Sequence, residues 1–157
     1  MFCKALLSLL VVCSSHVLAA ETADGIKVEA AAIEKASDIC MAEIVSNYDM
    51  GECSYQKLQA ADSLLNRVYK AQVAELKKQI QEEKGQGPLG QFGEETLKRL
   101  VKAQKAWIAF RDAECDLAGT DMLFGSGERL LVSSCLAETT LARATKLGEF
   151  FGSSDPK

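Results

Sequence analysis

The clearest hydrophobic pattern in the chain lies between Gly93 and Leu117, where Leu97, Leu100, Val101, Gln104, Trp107, Ile108, Arg111 and Cys115 recur at three- and four-residue steps. That spacing puts all eight on one face of a helix. The opposite face carries Lys98, Lys102 and Lys105, with Glu94 four residues before Lys98 and Glu95 four before Arg99, an orientation that favours ion pairs on an exposed surface. Two members of the inner stripe are wrong for a plain core. Gln104 and Arg111 carry donors and a charge that need partners from elsewhere in the chain if they are buried.

The rest of the chain reads as helices on either side of this one. Residues 25–39 are rich in Ala, Glu and Lys, with Ile26, Ile33 and Ala36 or Cys40 on one side, which predicts a short helix. Ser46 to Asp49 predicts a turn, and Asp49 followed by Glu52 resembles a capping box that opens a long helix to about Lys84. Its inner positions are Cys53, Leu58, Ala61, Leu65, Val68 and Ile80. Gly85 to Gly93 contains G-x-G-x-x-G, but a charged helix precedes it and Pro88 interrupts it. The dinucleotide motif needs a strand before it and a helix opening within it, so the segment is predicted to be an interhelix loop. Ala118 to Gly127 is a second glycine-rich connection, and a last helix runs from about Glu128 to Phe150 with Leu136, Thr140, Arg143 and Leu147 on one stripe. No segment alternates with period two. The predicted fold is all-α, an antiparallel bundle of three long helices with a short N-terminal helix.

Composition changes this picture in three ways. The 157 residues, 48% hydrophobic and 25% charged, suit one domain. Residues 1–19 have Lys4, an apolar run through Val12 and small residues before Ala20, the pattern of a secretory signal peptide, which predicts an exported protein, periplasmic or secreted. Ser14, Ser15 and His16 break the run short of a membrane span of about 20 residues, and no later segment competes. Cys13 closes the apolar run as a lipid-attachment site would, but Val12 is too bulky for the position before it.

Cleavage after Ala19 would remove Lys4, Cys3, Cys13 and the single histidine, His16, making the net charge one unit more negative than −4. Without histidine, Ser-His and Cys-His nucleophiles and His-containing zinc sites are excluded. An acidic chain with no basic patch is a poor nucleic-acid ligand and a better match for a basic partner. The four remaining cysteines, Cys40, Cys53, Cys115 and Cys135, lack C-x-x-C spacing and read as two disulfides, with no metal and no cofactor expected.

Cys53 with Ala61-Asp62-x-x-Leu65-Asn66-x-x-Tyr69, then Gln104-x-x-Trp107-x-x-x-Arg111-Asp112-x-Glu114-Cys115, then Cys135-Leu136-Ala137-x-x-Thr140-x-x-Arg143, resembles the LprI-like family of bacterial exported domains. That family takes its name from a mycobacterial lipoprotein that inhibits lysozyme. The resemblance spans about Cys40 to Leu147. It divides the chain into a signal peptide (1–19), a linker and short helix (20–39), an LprI-like helical domain (40–151) and a disordered tail (152–157). It implies a non-enzymatic binding protein whose partner is a basic, lysozyme-type glycosidase. The alternative is a cell-envelope interaction or stress module with another protein partner.

If Lys84 and Phe92 face each other across the first loop, antiparallel pairing sets Arg111 level with Leu65, within about a turn of Asp62 and Asn66. Trp107 then meets Tyr69 and Gln104 meets Gln72. Asp62, Asn66, Tyr69, Gln104, Trp107 and Arg111 are therefore expected to form a structural polar core, with Thr140 and Arg143 joining from the last helix. In this register Cys115 lies about 12 Å along the axis from Cys53, beyond the reach of about 7 Å between bridged Cα atoms, so the expected pairs are Cys40–Cys53 and Cys115–Cys135. Asp112, Glu114 and Asp116 could suggest carboxylate catalysis, but they read as a solvated helix end, since glycosidase carboxylates face each other across a cleft. For a partner contact the candidate is Gly119, Thr120 and Asp121 with Met122, Leu123 and Phe124, which combines hydrogen-bonding groups with an apolar anchor. Alternatively, Met122, Leu123 and Phe124 fold back as a lid on the bundle end.

Overall fold

A computed structural model describes residues 22–152 and contains four helices: α1 (Ala23–Ala42), α2 (Asn47–Glu82), α3 (Pro88–Ala118) and α4 (Glu128–Gly152). A 3-10 turn, Gly119–Met122, follows α3. The expected signal peptide lies outside the described residues, as do residues 153–157 of the expected tail. The all-α bundle and both disulfides stand as expected. None of the described helices is long and apolar enough to cross a membrane.

The helix ends differ from the expected ones, each for a local reason. α1 begins at Ala23 because Thr22 caps it, its side chain accepting the Gly25 N–H at 3.0 Å. α2 begins at Asn47 because the cap is Ser46, whose hydroxyl accepts the Asp49 N–H at 3.1 Å and donates to the Asp49 carboxylate at 2.6 Å. The residues read as a turn before the helix are thus its first turn. α3 starts five residues ahead of Gly93 because Pro88 occupies the first turn, where its missing N–H costs nothing. The connection shrinks to residues 83–87, and it turns on Gly85 and Gly87 at φ 87° and 65°, values that exclude most side chains.

α2 and α4 form the centre. They run parallel, share the most extensive contact in the molecule, and meet along a seam of small residues: Gly51, Ser54 and Ala61 on α2, Ser133, Ala137 and Ala144 on α4. Small side chains allow the helices to approach closely. A Cβ on Gly51 would stand 3.6 Å from the Leu130 backbone nitrogen, and the Ser54 and Ser134 hydroxyls are 2.9 Å apart. α1 and α3 lie in the two grooves flanking this pair, each antiparallel to it. Leu64, Leu65, Val68, Leu141 and Leu147 supply the central apolar mass.

Both disulfides sit at the same end, where α1 and α3 finish and α2 and α4 begin. Cys40–Cys53 fastens α1 to α2 with Cα atoms 5.9 Å apart, and Cys115–Cys135 fastens α3 to α4 at 5.4 Å. The other end of the bundle has no disulfide among the described residues and is held by packing, with the Lys27–Glu149 ion pair at its rim. There Gly93 lies against Ile80, so closely that an added Cβ would stand 2.9 Å from the isoleucine Cγ1.

Candidate functional site

Two features could carry function: a polar cluster inside the α3 groove and an apolar surface at the stapled end. The cluster is centred on Arg111, whose side chain is 14% exposed. Its Nη1 donates to Asp62 Oδ1 at 3.1 Å and to Thr140 Oγ1 at 3.0 Å, while Nε and Nη2 both reach Asp112 Oδ1, at 2.9 and 2.8 Å. Arg143 donates from Nε to Gln104 Oε1 at 3.1 Å. Trp107 sits beside both cations, with guanidinium carbons 5.2 and 5.6 Å from its ring. Burial pushes the Arg143 guanidinium below its usual pKa. Every buried side-chain nitrogen or oxygen among the described residues has a partner.

The structure brings six of the eight expected cluster residues together and leaves two aside. Asn66 is exposed, and Tyr69 packs half-buried against the apolar core. The reason is register. Because α3 starts at Pro88, Arg111 comes level with Asp62 rather than Leu65, a shift of three residues. Asp112, the solvated carboxylate next to Arg111 on the same helix, is its second ion-pair partner, and Gln104 reaches Arg143 instead of Gln72. Glu114 and Asp116 are exposed. Nothing here resembles two carboxylates opposed across a cleft.

At the stapled end, the connection from α3 to α4 projects outward. Thr120 Oγ1 donates to the Leu117 carbonyl at 2.8 Å, the Gly125 N–H to the Met122 carbonyl at 2.8 Å, and the Phe124 N–H to Glu128 Oε2 at 2.8 Å. Phe124 is held at φ 61°, a left-handed conformation that a bulky side chain seldom adopts, and its ring is left 93% exposed. The lid alternative fails for this residue. Of the apolar run only Met122 turns inward, its sulfur packing on Gly127; Leu123 is half exposed. Gly119 is buried, whereas Thr120 and Asp121 face solvent. Asn47, at the start of α2, lines the same shallow hollow as Thr120, Asp121 and Gly125. Next to it in the chain, Val45 and Tyr48 are 98% and 67% exposed. The sequence reading missed these two, though apolar residues flanking a Ser-Asn pair between helices were the available signal.

Comparison with known proteins agrees with this architecture. The Lysozyme inhibitor LprI family matches residues 40–147, well over half of the chain and the stretch that contains both disulfides and the cluster. An uncharacterized protein of Rhizobium meliloti (strain 1021) is 40% identical over 111 residues, covering 71% of this chain and 78% of that protein. No solved structure matches. With the spacing of Cys53, Asp62, Gln104, Trp107, Arg111, Cys115, Cys135, Thr140 and Arg143 accounted for by the helix register, the chain belongs to the LprI lysozyme-inhibitor family.

Proposed function

We propose that this protein is an exported inhibitor that blocks a basic, lysozyme-type glycosidase by seating the connection Gly119, Thr120, Asp121, Met122, Leu123 and Phe124 in the enzyme's cleft. The observation that carries this reading is Phe124, an aromatic ring 93% exposed on a backbone held in a strained conformation by the Glu128 carboxylate. Exposed aromatic anchors with nearby hydrogen-bonding groups are the usual source of binding energy at interfaces. Asp121 supplies a hydrogen-bonding carboxylate for a polar, sugar-binding cleft, and the net charge of −4 favours encounter with a basic enzyme. Because Cys115–Cys135 pins both flanks, less entropy is lost on binding. The family is one of inhibitors rather than catalysts, which supports the non-enzymatic role. The connection at residues 83–87 offers no comparable anchor.

The test is lysozyme turnover in the presence of Phe124→Ser and Asp121→Ala, each confirmed folded by circular dichroism. Phe124→Ser is expected to weaken inhibition by about 30-fold, the effect of losing an interface hot spot of about 2 kcal/mol. Asp121→Ala should cost less and mainly slow association. Undiminished inhibition by both folded variants would move the contact elsewhere. Absence of inhibition by the unaltered protein would favour the envelope-module alternative.

A further inference from the structure

At the end of the bundle away from both disulfides, a groove of about 440 Å³ runs between α3 and α4. Small-molecule sites usually measure about 300–1,000 Å³. Its floor is the buried pair Leu100 and Leu147, and its rim carries Phe92 and Phe150, 72% and 65% exposed. Arg143 stands at its inner side. The Nε of that guanidinium is used by Gln104 and its face by Trp107, but among the described residues no carboxylate lies within ion-pair distance of it. Arg111, one turn deeper in the same groove, has two carboxylates, and Arg99 on the rim is held by Glu95 at 2.9 Å. Arg143 has thus lost hydration without gaining a counter-ion, and its lowered pKa reports the same deficit. Lys146 adds a second positive charge to the lining.

The unmet needs of the groove specify an occupant. A small inorganic anion would answer Arg143 and leave the apolar floor exposed; an uncharged hydrocarbon would cover the floor and leave the cation unpaired. One molecule with an apolar chain and a carboxylate head answers both. We propose that the α3–α4 groove binds a single-chain fatty-acid carboxylate, with its head on Arg143 and Lys146 and its chain over Leu100 and Leu147 towards Phe92 and Phe150. This site is at the opposite end from the connection assigned to the glycosidase and does not depend on that assignment.

Trp107 is the only tryptophan and touches Arg143, so its emission reports occupancy directly. The purified protein is titrated with dodecanoate below its micellar range, and in parallel with dodecanol and dodecyltrimethylammonium. The expected result is a saturable change with dodecanoate and at least roughly tenfold weaker responses to the other two, since a charge-assisted pair is worth about that factor. The cationic arm is the stringent control, because non-specific adsorption to a protein of net charge −4 would favour it. Arg143→Gln should weaken dodecanoate binding by about tenfold. As that change also removes the partner of Gln104, the exposed Phe92→Ser is paired with it and should lower affinity without altering the melt. Failure to saturate, equal affinity for the three probes, or binding untouched by both substitutions would overturn the proposal.

Discussion

The two grooves flanking the central α2–α4 pair are filled by different chemistry. On the α1 side the contact is apolar: Ile26 is fully buried and Ala30 nearly so, and a Cβ on Gly148 would stand 2.5 Å from the Ile26 Cδ1 that occupies its place. The ion pairs of this side, Lys27 with Glu149 and Arg67 with Glu29, stay at the rim. On the α3 side the groove holds two guanidinia, a glutamine and a threonine, tied by directed hydrogen bonds. Apolar packing accepts any side chain of about the right volume, whereas a hydrogen-bonded cluster accepts one register. A slip of α3 by one turn would separate Arg111 from Asp62 and Thr140 together. Shape therefore holds α1, and register holds α3. The proposed loop is attached to α3, the helix whose position is set most exactingly.

The largest expected effect falls on the apolar side. Ile26→Ala should lower the unfolding free energy by about 3–4 kcal/mol, as for a fully buried aliphatic side chain whose site cannot collapse. Denaturant titration measures it, and a loss under about 1 kcal/mol would mean that α1 is dispensable and the comparison mistaken. Next come the staples. Replacing either cysteine pair with alanine should cost about 3 kcal/mol, because loops spanning 13 and 20 residues differ by only about 0.4 kcal/mol in closure entropy. If the two deletions differ by much more than that, one flank depends on its disulfide in a way the other does not.

The polar side is tested by Arg111→Met against Lys105→Met, two losses of one charge from the same helix. Arg111→Met leaves Asp62, Asp112 and Thr140 without their shared donor, but both carboxylates are about half exposed and can rehydrate. The expected cost is therefore about 2 kcal/mol rather than the roughly 3–5 kcal/mol of a fully buried pair. Lys105 is exposed, and its replacement should stay within about 0.5 kcal/mol. Hydrogen exchange sharpens the contrast: Arg111→Met should raise exchange along α3 and leave α1 amides protected. Equal and small effects of both substitutions would take the structural role from Arg111 and open its cluster to a functional one.

These two sides were not equally legible in the sequence. The α3 face announced itself because Gln104 and Arg111 interrupt an apolar stripe, and residues that need partners constrain their neighbours. Even so, Asn66 is expected beside Arg111 only because the register is counted from Lys84 facing Phe92 across a loop that ends at Gly93, and Gly93 is a helical residue made necessary by Ile80. The α1 helix was faint. Its Ala-, Glu- and Lys-rich stretch has few large apolar residues, and the fit of Ile26 against Gly148 joins positions more than a hundred residues apart. The proposed loop was legible as a candidate by composition. Its outward aim was not, because a left-handed Phe124 is imposed by the Glu128 acceptor and the neighbouring turns rather than by any propensity of phenylalanine.

The smallest expected effect belongs to the rim of the α1 groove, where Lys27 and Glu149 lie 3.0 Å apart in solvent. The hydrogen bond and charge of Lys27 hold the Glu149 carboxyl below its ordinary value of 4.5, and Glu149 in turn raises Lys27 above 10.5. A lowered carboxyl contributes fully above its ordinary value, and that contribution is lost as pH falls through the lowered one; a raised ammonium contributes fully below 10.5, and that is lost as pH rises through the raised one. The pair should thus add a constant, slight stabilisation between these limits. Glu149→Gln should remove it there and change nothing at lower pH, where the carboxyl is already protonated. Salt separates the two flanks. At about 1 M ionic strength, with a screening length of about 3 Å, the difference between Glu149→Gln and the unaltered protein should vanish, while the deficit of Arg111→Met persists because its partners are partly shielded from solvent. A Glu149→Gln deficit that survives high salt would place this ion pair among the contacts that hold α1, and the α1 side could no longer be described as held by shape alone.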